Sequence, residues 1–352
     1  MKLEGPSSVS NIPVINCLRG IAASIVCLYH FVNTTTGYIE SETIKDIFWF
    51  GKTGVYMFFV ISGVVIPLSM IRGNYTYNNW GKFMLKRLAR LEPPYIASLI
   101  LALLYFKVRL MVASSAPEDM TPSFRDLILH IGYLVPFFNG EWAIDVYWTL
   151  SVEFQYYLLL SILLPFALSG KIITRYGFYA LFLIIPFILK GHGFFPAYAP
   201  LFLMGIVYVF MLTGNANPTE CLIIVALCLI AGFSVLTPSY TVAAFITLLI
   251  IHFIPLYTNK VLRFLGEISY SLYLLHIITG GAMINLLSHK FKLPYQKPFV
   301  IIGGYLLSVV CSYLFYLVVE KPSQRLSSRI KYAKRDAQLE PAMEFVKKPG
   351  AR

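Results

Sequence analysis

Apolar residues in this chain come in long, nearly unbroken runs separated by short polar segments, rather than in the 3.6- or 2-residue alternation of elements half-buried in a soluble core. The runs fall at 12–32, 47–71, 93–113, 146–168, 175–190, 194–213, 219–236, 239–257, 266–288 and 299–319. Most approach the roughly 20 residues that a helix rising 1.5 Å per residue needs to cross the hydrocarbon core of a bilayer. A weaker segment, 124–138, places Phe124, Leu127, Ile128, Ile131 and Leu134 on one helical face but is interrupted by Gly132 and Pro136. It reads as an amphipathic helix lying on the outer surface, because counting it as a span would invert every later loop and put Lys171 and Arg175 outside. The pattern therefore predicts an all-α, polytopic transmembrane helical bundle of about ten spans, with a membrane domain over 1–322 and a basic cytoplasmic tail over 323–352.

Composition agrees with that picture: of 352 residues, 57% are hydrophobic and only 13% charged, far from the balance of a soluble domain. The net charge of +12 could point to nucleic acid, but the Lys and Arg residues lie in short loops and the tail, where membrane topology explains them. The segment after the second run carries Arg72, Lys82, Lys86, Arg87 and Arg90. Those after the first and third runs are acidic, with Glu40, Glu42, Asp46, Glu118, Asp119, Asp126, Glu141 and Asp145. Together with Lys171, Arg175, Lys260, Arg263 and the tail, this bias places both termini in the cytoplasm, against a minority vote from Lys290, Lys292 and Lys297. Cys17, Cys27, Cys221, Cys228 and Cys311 show no paired or metal-like spacing and read as packing residues, and no metal site is expected. The first run follows a polar stretch and lacks a small-residue cleavage site, so it is expected to remain in the mature protein.

Chemistry is best sought where a polar side chain is costly. Arg19 and His30 lie eleven residues apart in the first run, which at about 100° and 1.5 Å per residue separates them by roughly 16 Å along the helix but only about 20° around it. Both then line one stripe, with Arg19 towards the cytoplasmic end and His30 towards the outer end. The blander reading makes Arg19 a snorkelling anchor and His30 an interfacial hydrogen-bonding residue. Imidazole can take and return a proton near neutrality, so a cavity-facing His30 is a candidate general base for a hydroxyl. Glu153, within VYWTLSVEFQYYLLL, is either a partner that orients a histidine or a structural carboxylate satisfied by tyrosines. In KFMLKRLARLEPPY, Arg87 and Arg90 share a helical face and with Lys86 suit phosphate, unless they serve only positive-inside retention. Ser62, Gly63, Ser269 and Ser271 are small residues better suited to packing than to nucleophilic attack, and His276 reads as a satisfied core histidine, with a buried polar partner as the alternative.

Taken in order, these stretches resemble the motifs of acyltransferase family 3, multi-pass membrane enzymes that acylate bacterial surface glycans and some other acceptors. LRGIAASIVCLYHF resembles the first-helix signature of a basic residue, ten intervening residues and a histidine, which falls on Arg19 and His30. GVYMFFVISG, KRLARLEPPY, YWTLSVEFQYYL, LGEISYSLYLLH and the EKP at Glu320 to Pro322 resemble the motifs that follow. The resemblance implies acyl-CoA, acetyl-CoA by type, as a cytoplasmic donor substrate near Arg87, Arg90 and Lys86, with no permanently bound cofactor. It implies His30 as the catalytic residue, with Arg19 and Glu153 assisting and with Ser62, Trp148, Tyr270 and His276 as supporting positions. The acceptor it implies is a saccharide or glycolipid, and the location a bacterial cytoplasmic membrane. Tyr56 and Glu92 depart from the residues common at their positions, and a tail of about 30 residues is too short for the extracytoplasmic hydrolase-like domain of many members. A transporter or flippase of a lipid-linked sugar is the alternative, although inverted repeats and interrupted helices in matching halves are missing.

Overall fold

A computed structural model describes residues 12–34, 37–112 and 122–332. Glu118, Asp119 and the tail beyond residue 332 lie outside the described residues. Among those described there is no strand, and the helices follow the apolar runs: α1 (Val14–Tyr29), α2 (Glu42–Trp49), α3 (Gly54–Arg72), α4 (Trp80–Val112), α5 (Phe124–Ile131), α6 (Trp148–Ala167), α7 (Ile172–Ile188), α8 (Ala199–Leu212), α9 (Pro218–Val235), α10 (Pro238–Phe253), α11 (Lys260–Glu267), α12 (Ser269–Leu275), α13 (Ala282–Ser288), α14 (Lys297–Phe315) and α15 (Lys321–Arg329). Three π-helical turns interrupt them, at His30–Thr34, Ile277–Gly281 and Tyr316–Glu320.

Among the described residues, eight continuous helical stretches are long and apolar enough to cross a membrane: Val14–Thr34, Glu42–Arg72, Tyr77–Met111, Asp145–Ala167, Phe195–Leu212, Pro218–Val235, Ser269–Ser288 and Lys297–Arg329. Two shorter apolar helices, Ile172–Ile188 and Pro238–Phe253, fall on the fifth and eighth runs. Exposed apolar side chains cover the outside of these helices, as with Ile100, Leu104 and Val108 of α4 and Ile302, Leu306 and Val310 of α14. Such a belt matches a lipid environment, in which only helices or closed barrels satisfy their own backbone. At eight residues, α5 is about 12 Å long and cannot span. Its Phe124, Ile128 and Ile131 point outward, while Asp126, Leu129 and His130 are buried.

Close approach in the core depends on glycine. A Cβ on Gly63 would lie 2.3 Å from the carbonyl oxygen of Phe202, and one on Gly205 would lie 2.6 Å from the carbonyl carbon of Gly63, so α3 and α8 pack backbone to backbone. α1 meets α11 in the same way, since a Cβ on Gly266 would sit 1.9 Å from the Asn16 carbonyl oxygen. Around the first seam lie Val60, Val64, Tyr156, Leu160, Phe202 and Ile206, all buried.

Two departures from the sequence expectation bear on the site. The basic stretch before the third run is not a loop: α4 runs unbroken through Pro93 and Pro94, so Arg87 and Arg90 stand on a rigid helix. The prolines leave only the carbonyls of Ala89 and Arg90 without their helical donors, which the rest of a 33-residue helix tolerates. The start of the tail is also built into the bundle. α15 packs on α4, its Ser323 and Ser327 are buried, and the Ser327 hydroxyl donates to the Lys86 carbonyl at 2.8 Å.

Candidate active site

α1, α3, α4, α6, α12 and the third π turn enclose a cavity of about 120 Å³ inside the bundle. Three guanidinium groups line it, those of Arg19, Arg87 and Arg90, together with two carboxylates, Glu153 and Glu320. Among the described residues, no ion pair within 4.0 Å joins any of these five side chains.

Three of these charged groups, Arg87, Glu153 and Glu320, are held by neighbouring side chains or backbone. Arg87 is only 7% exposed, donates through Nη2 to the Ser69 hydroxyl at 3.0 Å, and lies 5.2 Å from the Phe83 ring centroid and 5.6 Å from that of Tyr157. Its Nε–H is buried without a hydrogen-bond partner. Leaving such a donor unpaired costs on the order of 1–3 kcal/mol, more for a charged group, so the site is poised for an acceptor. Glu153 accepts through Oε1 from the Ser62 hydroxyl at 2.8 Å and from the Tyr157 hydroxyl one helical turn on. Glu320 accepts through Oε2 from both the backbone N–H (3.1 Å) and the hydroxyl (2.5 Å) of Ser271, and through Oε1 from Gln324 (2.9 Å). Tyr270 lines the same cavity and donates to the Leu91 carbonyl at 3.0 Å, tying α12 to α4.

His30 does not line this cavity. It opens the first π turn and pairs with His276, at the end of α12 just before the second π turn: His276 Nε2 is 3.1 Å from His30 Nδ1. Tyr273 stands between the two regions. Its ring lines the cavity and is 6.1 Å from that of His276, while its hydroxyl is fixed by accepting from Thr149 (2.9 Å) and donating to the Val146 carbonyl (3.0 Å).

The structure thus sorts the residues singled out from the sequence into groups. Arg19, Arg87, Arg90, Glu153, Ser62 and Tyr270 meet at one cavity, and His30 meets His276 beyond Tyr273. Glu153 stands among the arginines, so its partners are Ser62 and Tyr157. Lys86 stays outside the cavity, its ammonium 5.8 Å from the Tyr332 ring centroid. Trp148 packs away from the cavity, 4.4 Å from the His192 ring and 5.3 Å from that of Tyr198. Tyrosine was already one of the partners the sequence offered for Glu153, and Tyr157 is that tyrosine; Ser69 and the inward carboxylate of Glu320 were not anticipated. For Glu320, the signal was an acidic residue at the end of an apolar run, where an unpartnered charge is expensive.

A family model described as an acyltransferase domain matches residues 12–317, nearly the whole described bundle. Searches of curated proteins and of solved structures give no match. A match of that extent over a helical membrane bundle carrying the arginine, glutamate and histidine motifs makes the chain a membrane acyltransferase, and it belongs to acyltransferase family 3.

Proposed function

We propose that the protein moves an acyl group, acetyl by expectation, from cytoplasmic acyl-CoA to a hydroxyl of a cell-surface or lipid-linked saccharide, working in a bacterial cytoplasmic membrane. One observation carries the donor half of this reading: three arginines and two carboxylates line one internal cavity without neutralising each other in ion pairs, and the Arg87 Nε–H is buried and unpaired. A cavity with surplus positive charge suits an anionic donor, and guanidinium forks suit phosphate. The loops divide between two ends of the bundle. Counting the long helices in order as alternate crossings, Arg72, Lys82, Lys171, Arg175 and Lys260 fall in connections at the end where α1 begins, whereas Glu40 and Lys297, 3.5 Å apart, and the Tyr38–Phe291 contact fall at the other. Taking the more basic end as cytoplasmic, the donor enters near the arginines and its thioester advances past Tyr273 towards His30.

In the chemical step, His30 removes the proton of the acceptor hydroxyl as the oxygen bonds to the thioester carbonyl carbon. The C–S bond then breaks, and the leaving thiolate takes the proton held by His30. An acyl-enzyme route would use the same groups in two stages. Family membership favours transfer over the transporter alternative. To test the reading, membranes containing the protein are incubated with radiolabelled acetyl-CoA and label is followed into glycan or glycolipid. Wild-type membranes should transfer label, and His30→Ala membranes with equal protein content should not. Full transfer by His30→Ala would remove His30 from the chemistry, and absence of label from every saccharide fraction of wild-type membranes would remove the acceptor class.

A further inference from the structure

His276 is 1% exposed and lies 246 residues from His30 in sequence, yet the two rings share a hydrogen bond. Its Nδ1 is 3.0 Å from the Leu272 carbonyl oxygen, a group that can only accept, so Nδ1 carries a hydrogen. In the neutral ring Nε2 then bears the lone pair, and that lone pair faces His30 Nδ1 at 3.1 Å. His30 Nδ1 is also 2.9 Å from the Val26 carbonyl oxygen, again an acceptor. Both neighbours are acceptors that share the single hydrogen of His30 Nδ1 in a three-centre bond, which leaves the lone pair of His30 on Nε2.

Local backbone structure serves this pairing. A π turn begins at His30 and another directly follows His276, closed by the Gly281 N–H donating to the His276 carbonyl at 2.9 Å. Such one-turn insertions re-aim side chains and recur at functional sites. The two turns pack on one another through Phe31 and Gly280, where a Cβ would come within 2.5 Å of the Phe31 ring and 2.2 Å of the Gly304 carbonyl oxygen. A histidine needed only to fill space would require neither the i−4 tether nor the lone pair aimed at a second imidazole.

We infer that His276 is a positioning residue that holds His30 in the Nδ1–H tautomer and presents Nε2 as the basic nitrogen. It goes on accepting from Nδ1–H when Nε2 takes the acceptor's proton, as the third member of a nucleophile, base and orienting-group arrangement does for its base. The inference rests on the reading of His30 as general base.

The test uses the full-length protein in native membranes with radiolabelled acetyl-CoA as donor and the membrane's own glycolipid as acceptor, alongside ¹⁵N-histidine NMR of the purified protein. His276→Phe keeps a ring but removes the acceptor, whereas His276→Gln keeps an oxygen near the position of Nε2. His276→Phe is expected to lower kcat roughly 10- to 100-fold, within the range of general acid–base effects, with the KM for acetyl-CoA unchanged. His276→Gln should recover most of the loss. In the wild-type spectrum, the His30 signals, identified by their loss in His30→Gln, should show a protonated Nδ1 and a bare Nε2. Wild-type kcat in His276→Phe, or a His30 spectrum with the hydrogen on Nε2, overturns the inference while leaving His30 as base if His30→Ala is inactive. Activity in His30→Ala overturns the base assignment instead.

Discussion

The α3–α8 seam gives a sharp test of how far the site depends on backbone packing outside it. In Gly63→Ala the new methyl would lie 2.3 Å from the Phe202 carbonyl oxygen and 3.1 Å from the Phe202 Cα. These are backbone atoms of a helix with no rotamer to change, so α3 and α8 must separate by about 1 Å to reach ordinary contact. Overpacking of that kind costs typically 1–3 kcal/mol. The functional cost arises because Ser62, the preceding residue, donates to Glu153 at 2.8 Å and its carbonyl accepts from Tyr156 at 3.4 Å. Displacement of the reacting geometry by about 1 Å can reduce turnover on the order of 100-fold. Gly177→Ala is the control, since its Cβ would meet nothing within 4 Å. Thermal unfolding in nanodiscs and acetyl-CoA-dependent labelling should show Gly63→Ala to be less stable and slower, with Gly177→Ala unchanged or slightly more stable because alanine suits a helix interior. Wild-type melting temperature and rate in Gly63→Ala would refute the claim that this backbone contact sets the position of Ser62.

Other consequences follow from particular groups. Arg87→Gln removes a buried cation from the cavity, and losing one charge-assisted hydrogen bond of about 1.5–3 kcal/mol should raise the KM for acetyl-CoA roughly 10- to 100-fold. Initial rates against donor concentration check this, and an unchanged KM counts against the phosphate role. Outside the spans, burial holds His130 below its ordinary value while its Nε2 accepts from the Ala143 N–H at 3.0 Å, and the Ser123 hydroxyl, 2.6 Å from Asp126 Oδ2, holds that carboxyl below the usual carboxylate range. Both groups are depressed in the fold, so the stability each contributes is present above its unfolded value and lost as pH falls through its folded one. The Ala143 amide should therefore lose hydrogen-exchange protection, corrected for intrinsic rate, as pH drops below the unfolded imidazole value of about 6.5. Protection that is flat down to pH 4 would contradict this.

The apolar runs alone determined that the chain is a helical membrane bundle and roughly where each helix lies, because the free energy of moving a helix into lipid is summed along consecutive residues and needs no knowledge of neighbours. The same local logic put Arg19 and His30 in the first run and led to the expectation of a surface element at 124–138. Whether two spans touch, and through which faces, depends on helix rotation and separation, and only the tertiary structure decided those. Gly63 against Phe202 and Gly266 against Asn16 set distances that no single run encodes. From that packing came the three arginines and Glu320 around one cavity, Ser62 and Tyr157 as partners of Glu153, and the pairing of His30 with a histidine 246 residues away. Arg87 looked like part of a loop because it lies in a basic stretch between two apolar runs, yet α4 continues through Pro93 and Pro94 and carries it inward, packed against α15.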